Sequence, residues 1–241
     1  MSKLIVQKYG GSSLSDNTRI MSVAERISQN SSLGYQTVVV VSAMGKSTDD
    51  LLSLSVKISD NPSKRELDFL LSTGEMISCA LVTMALNSLG HQAISLTGAQ
   101  AGISTDSEHS QARILGIDTN RILKEIEEQK VVVIAGFQGI AENSDITTLG
   151  RGGSDTTAVA LAASLKADMC EIYTDVDGIY TADPRVVPDA RILKEIGYEE
   201  MMEMASHGAK MHPRSIELAA LYHVPIRVTS SFKNVEGTLI H

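Results

Sequence analysis

The stretch Val38-Val39-Val40-Val41-Ser42-Ala43-Met44-Gly45-Lys46-Ser47-Thr48 decides the fold class. Four consecutive β-branched residues read as a strand buried on both faces, because a strand with one wet face would alternate apolar and polar residues. The run then breaks into a loop of small and hydroxyl residues. The pattern recurs on both sides of it. Leu4–Gln7 is apolar and ends in Lys8-Tyr9-Gly10-Gly11; Ala93–Leu96, Val131–Ala135, Met169–Tyr173 and Ile226–Thr229 are further strand candidates. Helical spacing falls between them. Ile20, Val23, Ala24 and Ile27 share one face of Asn17–Gln29, and Glu66–Leu89 is a long helical region that Gly74 is expected to interrupt. Asp118–Glu128 reads as a helix capped by Asp118. Ser154–Lys166, Tyr198–Ser206 and Ser215–Tyr222 read as helices as well. Alternating β and α elements imply an α/β fold with a mostly parallel sheet covered by helices on both faces. No Pro/Gly/Ser-rich linker or fixed-period repeat divides the 241 residues, so one domain of two lobes is expected.

Composition excludes several classes. Apolar residues at 43% and charged residues at 21% are globular values, which sets aside disorder, collagen and small disulfide scaffolds. The net charge of −8 argues against a nucleic-acid or anionic-membrane partner. The two cysteines, Cys79 and Cys170, sit far apart in apolar stretches and read as reduced core thiols. The N-terminus lacks the apolar core of a signal peptide, and apolar runs stop near about six residues, short of a membrane span. A soluble, cytoplasmic protein is expected.

The chemistry is expected in the loops after the strands, where parallel sheets bind ligands. These are Lys8–Ser13, Ser42–Thr48, Thr147–Asp155 and Thr174–Gly178. Loops rich in glycine and hydroxyl residues offer backbone N–H donors, which suits phosphate. In Gly150-Arg151-Gly152-Gly153-Ser154-Asp155 the glycines admit a ligand close to the backbone, and Ser154 or Asp155 is placed to cap the next helix. Rival motifs fail. No Gly-x-Gly-x-x-Gly follows the first strand. Gly45-Lys46-Ser47 lacks the upstream glycine of a P-loop, position 40 being Val. Asp175-Val176-Asp177-Gly178 lacks the remaining calcium-loop acids. There is no Gly-x-Ser-x-Gly elbow. The six histidines have no partners at zinc spacing, so no direct protein metal site is expected, and His207 and His212 read as surface or helix-end residues.

Taken together, the chain resembles the catalytic domain of the aspartate kinases, within the amino-acid kinase superfamily. The resemblance rests on Lys8–Ser13, Val39–Gly45, Leu71-Ser72-Thr73-Gly74-Glu75, Thr97–Gly102, Val133–Gly139, Thr147–Thr157 and Tyr173–Arg185, which follow the family order along nearly the whole chain. Gly208–Arg214 looks one residue shorter than the family pattern. The family's regulatory ligand-binding (ACT) domains would begin about where Gly237–His241 ends the chain, so none is expected within it.

The resemblance implies a three-layer αβα sandwich of the amino-acid kinase (carbamate kinase-like) type, with an N-terminal lobe on the aspartate side and a C-terminal lobe on the nucleotide side. It implies transfer of the ATP γ-phosphoryl group to the side-chain carboxylate of L-aspartate, the first step of lysine, threonine and methionine biosynthesis. Lys8 and Asp155 are implied as the catalytic pair, Lys8 also contacting nucleotide. Ser42, Thr48, Glu75 and Arg151 are implied to bind aspartate, Glu75 through its α-ammonium and Arg151 through its α-carboxylate. Gly10, Gly11, Ser12, Gly152, Gly153, Ser154, Thr174, Asp175, Tyr180, Asp183, Arg185 and Lys210 are implied to bind ATP, with Mg²⁺ held mainly by phosphate oxygens. A homo-oligomer or a regulatory-subunit partner is expected. Two other readings stay open: a kinase for a different carboxylate, and a catalytically idle subunit.

Overall fold

The structure, a computed structural model, describes residues 3–241. The chain runs through β1 (Leu4–Tyr9), a 3-10 turn (Gly11–Leu14), α1 (Asn17–Ser32), β2 (Gln36–Val41), α2 (Ser47–Ile58), α3 (Lys64–Ser88), β3 (Ala93–Leu96), β4 (Ile103–Thr105), β5 (Ile114–Ile117) and α4 (Asn120–Glu127). It continues through β6 (Val131–Ala135), β7 (Gln138–Ile140), β8 (Ile146–Thr148), α5 (Gly153–Leu165), β9 (Met169–Thr174), β10 (Glu195–Ile196), α6 (Tyr198–Ser206), α7 (Pro213–Tyr222), β11 (Ile226–Ser230) and β12 (Thr238–Ile240).

The continuous apolar strands make one eight-stranded sheet in the order β10-β12-β11-β9-β1-β2-β6-β3, parallel except at β11–β12. Alternation along each strand divides the core. Val39 and Val41 pack with Ile20, Val23 and Ile27 of α1 and with Val82 and Leu86 of α3. Val38 and Val40 point the other way, toward Val159 of α5 and Ile216 of α7. The result is the expected three-layer αβα sandwich. From β1 the chain steps one way to β2 through α1; from β9 it steps the opposite way to β11 through α6 and α7. Right-handed crossovers in opposite directions put their helices on opposite faces and open a crevice beyond the carboxyl ends of β1 and β9.

Several expectations are corrected. Gly74 does not interrupt its helix: α3 runs unbroken for 25 residues. The N-cap position of α4 is Thr119, not Asp118, although Asp118 Oδ1 does accept the Asn120 N–H at 3.1 Å. Gly152 is the N-cap of α5, with φ +71°, so Ser154 and Asp155 lie within the first turn and cap nothing. Helix α7 starts at Pro213, ahead of Ser215. Helix α2 and a second sheet of order β5-β4-β7-β8 are additions to the sequence reading. Cys79 and Cys170 are buried free thiols, as expected. By length and composition α3 is apolar enough to cross a membrane, but 56% of its most apolar window is buried inside the fold.

Candidate active site

Strand alternation puts Lys8 on the α5 side of the sheet, beside Val6. Its Nζ lies 2.7 Å from Oδ1 of Asp155 in the first turn of α5, and the two side chains are 12% and 17% exposed. The two groups sit off the angles of an aligned hydrogen bond, so the contact is a plain ion pair. Helix α5 starts at the same place, and the first backbone N–H groups of a helix have no partner within it. A lysine and a positive helix end therefore face one space.

Two loops close on each other around that space. Gly45 N–H donates to Gly11 O at 2.9 Å, and a Cβ on Gly11 would stand 2.8 Å from Ala43 O. Only glycine permits that approach. Gly152 has a second reason to be glycine: any Cβ there would collide with the ring of His212. That ring sits at the N-cap of α7, the helix-end position expected of His212.

Helix α3 supplies a buried acid. Glu75 is 3% exposed, and its Oε1 accepts the Ala43 N–H at 3.1 Å. Among the described residues its Oε2 has no hydrogen-bond partner. Burial raises its carboxyl to about 7, the Ala43 N–H offsetting part of the rise. A buried carboxylate with one empty oxygen is suited to a cationic ligand group.

Lys8, Gly10, Gly11, Ser12, Ser42, Thr48, Glu75, Gly152, Gly153, Ser154, Asp155 and Thr174 line one cavity of about 390 Å³. Asp175, Tyr180, Asp183 and Arg185 line a second, of about 870 Å³. Lys210 lines both, and its Nζ meets Asp175 Oδ1 at 2.7 Å. That ammonium holds the Asp175 carboxyl below its ordinary range. The Asp183–Arg185 pair is a local turn: the Arg185 side chain and N–H both donate to Asp183 and pull its carboxyl down to about 2. Thus the structure brings together every expected site residue except one. Arg151 is exposed, outside both linings, between Gly150 and Gly152, which both have positive φ.

The sequence reading does not single out Phe137, Asp68 or Arg214. Phe137 lines the smaller cavity at φ +69°, held by its N–H to Thr157 Oγ1 and its carbonyl to the Leu149 N–H. A non-glycine residue held at positive φ marks a constrained position. Asp68 lies two helical turns before Glu75, on the same face of α3, and that spacing is the signal that would find it. Among the described residues, no group of three or more His, Cys, Asp or Glu side chains could hold a metal ion.

Residues 3–230 match the Amino acid kinase family, and the chain belongs to it. It is 56% identical over 238 residues to the aspartokinase of Geobacillus stearothermophilus, covering 98% of this chain and 58% of that protein. The chain thus spans somewhat over half the length of the curated relatives it matches. Among solved structures, Synechocystis aspartate kinase is 54% identical with a TM-score of 0.89, covering 98% of this chain and 40% of that one. Escherichia coli aspartokinase III, solved in complex with aspartate and ADP, is 28% identical with a TM-score of 0.89, covering 99% and 64%.

Proposed function

We propose that this chain carries the catalytic part of an aspartate kinase, which transfers the γ-phosphoryl group of ATP to the side-chain carboxylate of L-aspartate. The observation that carries this reading is Glu75. A buried carboxyl with an empty oxygen, sharing a 390 Å³ cavity with Lys8 and the start of α5, fits a small acid that also bears an ammonium group. The names of the relatives support the same activity.

An aspartate carboxylate is ionised at neutral pH and needs no general base. The barrier is the approach of one anion to another, so positioning and charge neutralisation supply the catalysis. In the proposed complex Glu75 holds the α-ammonium and Arg151 swings from its glycine-flanked turn onto the α-carboxylate, where a guanidinium binds with two hydrogen bonds. Ser42 and Thr48 complete that pocket. The side-chain oxygen then attacks the γ-phosphorus as the bond to the β-phosphate oxygen breaks, giving 4-phospho-L-aspartate and ADP. Lys8 leaves Asp155 to neutralise the phosphoryl group, and Gly10, Gly11, Ser12 and the N–H groups of Gly153 and Ser154 cradle phosphate oxygens. The larger cavity takes the rest of the nucleotide, with Lys210 at the junction and Asp175, Tyr180, Asp183 and Arg185 around it. The N-terminal lobe is thereby the aspartate side and the C-terminal lobe the nucleotide side.

A magnesium ion fits this donor set only in one way. Asp155 and Asp175 are single carboxylates, each next to a lysine, so the ion would take most ligands from phosphate and water. Bound there, it would neutralise triphosphate charge. The reading places the protein in the cytoplasm at the entry to the aspartate-derived amino acids, as an oligomer.

The test is ATP- and Mg²⁺-dependent acyl phosphate formation, trapped with hydroxylamine. Aspartate, glutamate, N-acetylglutamate and no acid are compared. Signal with aspartate alone supports the reading. Signal with another acid reassigns the substrate, and ATP binding without signal makes the chain an idle subunit.

A further inference from the structure

Asp68 is fully buried in α3, outside the linings of both cavities. A buried carboxylate is costly unless donors surround it. Asp68 has them, and they come from the end of β8 and from the loop between β4 and β5. Oδ1 accepts Thr148 Oγ1–H at 2.6 Å, and Oδ2 accepts the Thr148 N–H at 3.1 Å. The Ser110 N–H reaches both oxygens, at 3.1 and 3.0 Å, and His109 Nδ1 lies 2.8 Å from Oδ2.

Both segments abut the turn that carries Arg151. Thr148 ends β8, three residues ahead of it. Ser110, held at φ +72°, presents its carbonyl to Gly150 so closely that a Cβ there would stand 2.9 Å from the oxygen. From the other side, Arg214 donates to the carbonyls of Leu149 at 2.9 Å and Ala112 at 3.2 Å. The base of the Arg151 turn is thus clamped between Asp68 and Arg214. Helix α3 also carries Glu75, about 10 Å further along its axis on the same face. One rigid helix therefore holds the Glu75 carboxylate and the anchor of the Arg151 turn.

We propose that Asp68 is a positioning residue: by clamping Thr148 and Ser110 to α3, it sets the distance between Glu75 and Arg151. This rests on the reading that those two side chains grip one amino acid. The ammonium and carboxylate of an α-amino acid sit on the same carbon, so the spacing of their partners has little tolerance, and small misplacements carry large penalties.

The test is D68N in the 241-residue chain. The amide keeps the shape of the side chain but turns an NH₂ group toward donors. The KM for aspartate should rise about 10-fold or more with the KM for ATP unchanged. Hydrogen exchange should quicken at the amides of residues 148–152 and stay as in the parent in β1 and α5. An unchanged KM for aspartate, an equal rise for ATP, or exchange quickened throughout the core would overturn the proposal. If D68N does not fold, T148V removes only the hydroxyl bond and must shift the same two readouts in the same direction; failure to do so has the same consequence. A parent chain that does not phosphorylate aspartate overturns the proposed function instead, and the exchange pattern still decides whether Asp68 anchors the turn.

Discussion

Glu75 Oε1 accepts the backbone N–H of Ala43 at 3.1 Å, a bond across 32 residues that ties α3 to the loop after β2. It forms because the preceding residue is glycine: a Cβ on Gly74 would lie 2.9 Å from the Cβ of Ala43.

Gly74→Ala tests that approach. Helix propensity alone would favour alanine by about 1 kcal/mol. Forcing a methyl against Ala43 costs about 1–3 kcal/mol, so the contact should win. The expected result is a lower melting temperature and a raised KM for aspartate, with ATP binding retained. A stabilised variant with normal kinetics would show that the loop yields freely.

If Glu75 holds the ammonium of aspartate as proposed, its carboxyl, raised to about 7, should make aspartate binding depend on pH. Holding an ammonium requires the ionised form, so affinity should strengthen as pH rises through about 7 and fall about tenfold per unit well below it. Calorimetric titration with aspartate between pH 5.5 and pH 8.5 measures this, and a flat profile would contradict it.

The same group gives a stability signature of opposite sense. Its folded value lies above its ordinary 4.5, so its contribution is fully present below about 4.5 and is lost as pH rises through about 7. The loss amounts to about 3 kcal/mol. Urea unfolding of the ligand-free protein and of Glu75→Gln should therefore converge at low pH and diverge by pH 8, the Gln variant being the more stable. Parallel curves would mean that burial does not hold the proton.

Under the proposed mechanism Lys8→Ala should reduce kcat by about 10²-fold or more, since the charge proposed to neutralise the transferring phosphoryl group is lost from a partly desolvated site. Its ion pair with Asp155 is mostly buried, so removing the ammonium leaves the carboxylate without its partner, and the melting temperature should fall as well while the protein stays folded. Near-normal turnover would remove Lys8 from the mechanism.

Arg151→Ala should leave stability unchanged, because the side chain is exposed and, among the described residues, has no polar partner. Loss of a charged hydrogen bond to substrate, about 1.5–3 kcal/mol, corresponds to a rise of about 10- to 100-fold in the KM for aspartate. The KM for ATP should not change. Selective loss of ATP binding would exchange the roles of the two cavities.

The layered α/β architecture was legible in the sequence because periodicity is a local property. Val38–Val41 and Val131–Ala135 announce strands buried on both faces without reference to the rest of the chain, and their alternation already divides the two layers of the core. The glycine- and hydroxyl-rich loops were legible for the same reason, since those residues cluster in sequence. Strands β4, β7 and β8 have only three residues each, too few to show a period, and they exist because they pair with one another. Gly74 looked like a helix breaker because a sequence does not show that a Cβ there would lie 2.9 Å from the Cβ of Ala43. Asp68 looked like one acid among 29, and only folding brings His109, Ser110 and Thr148 to it. The sequence by itself determined the long strands and helices of the main sheet and the glycine- and hydroxyl-rich loops between them, since neighbouring residues decide that. Only the tertiary structure decided which loops meet, how deeply Glu75 is buried and where Arg151 stands, because those depend on crossovers and packing between residues far apart in the chain.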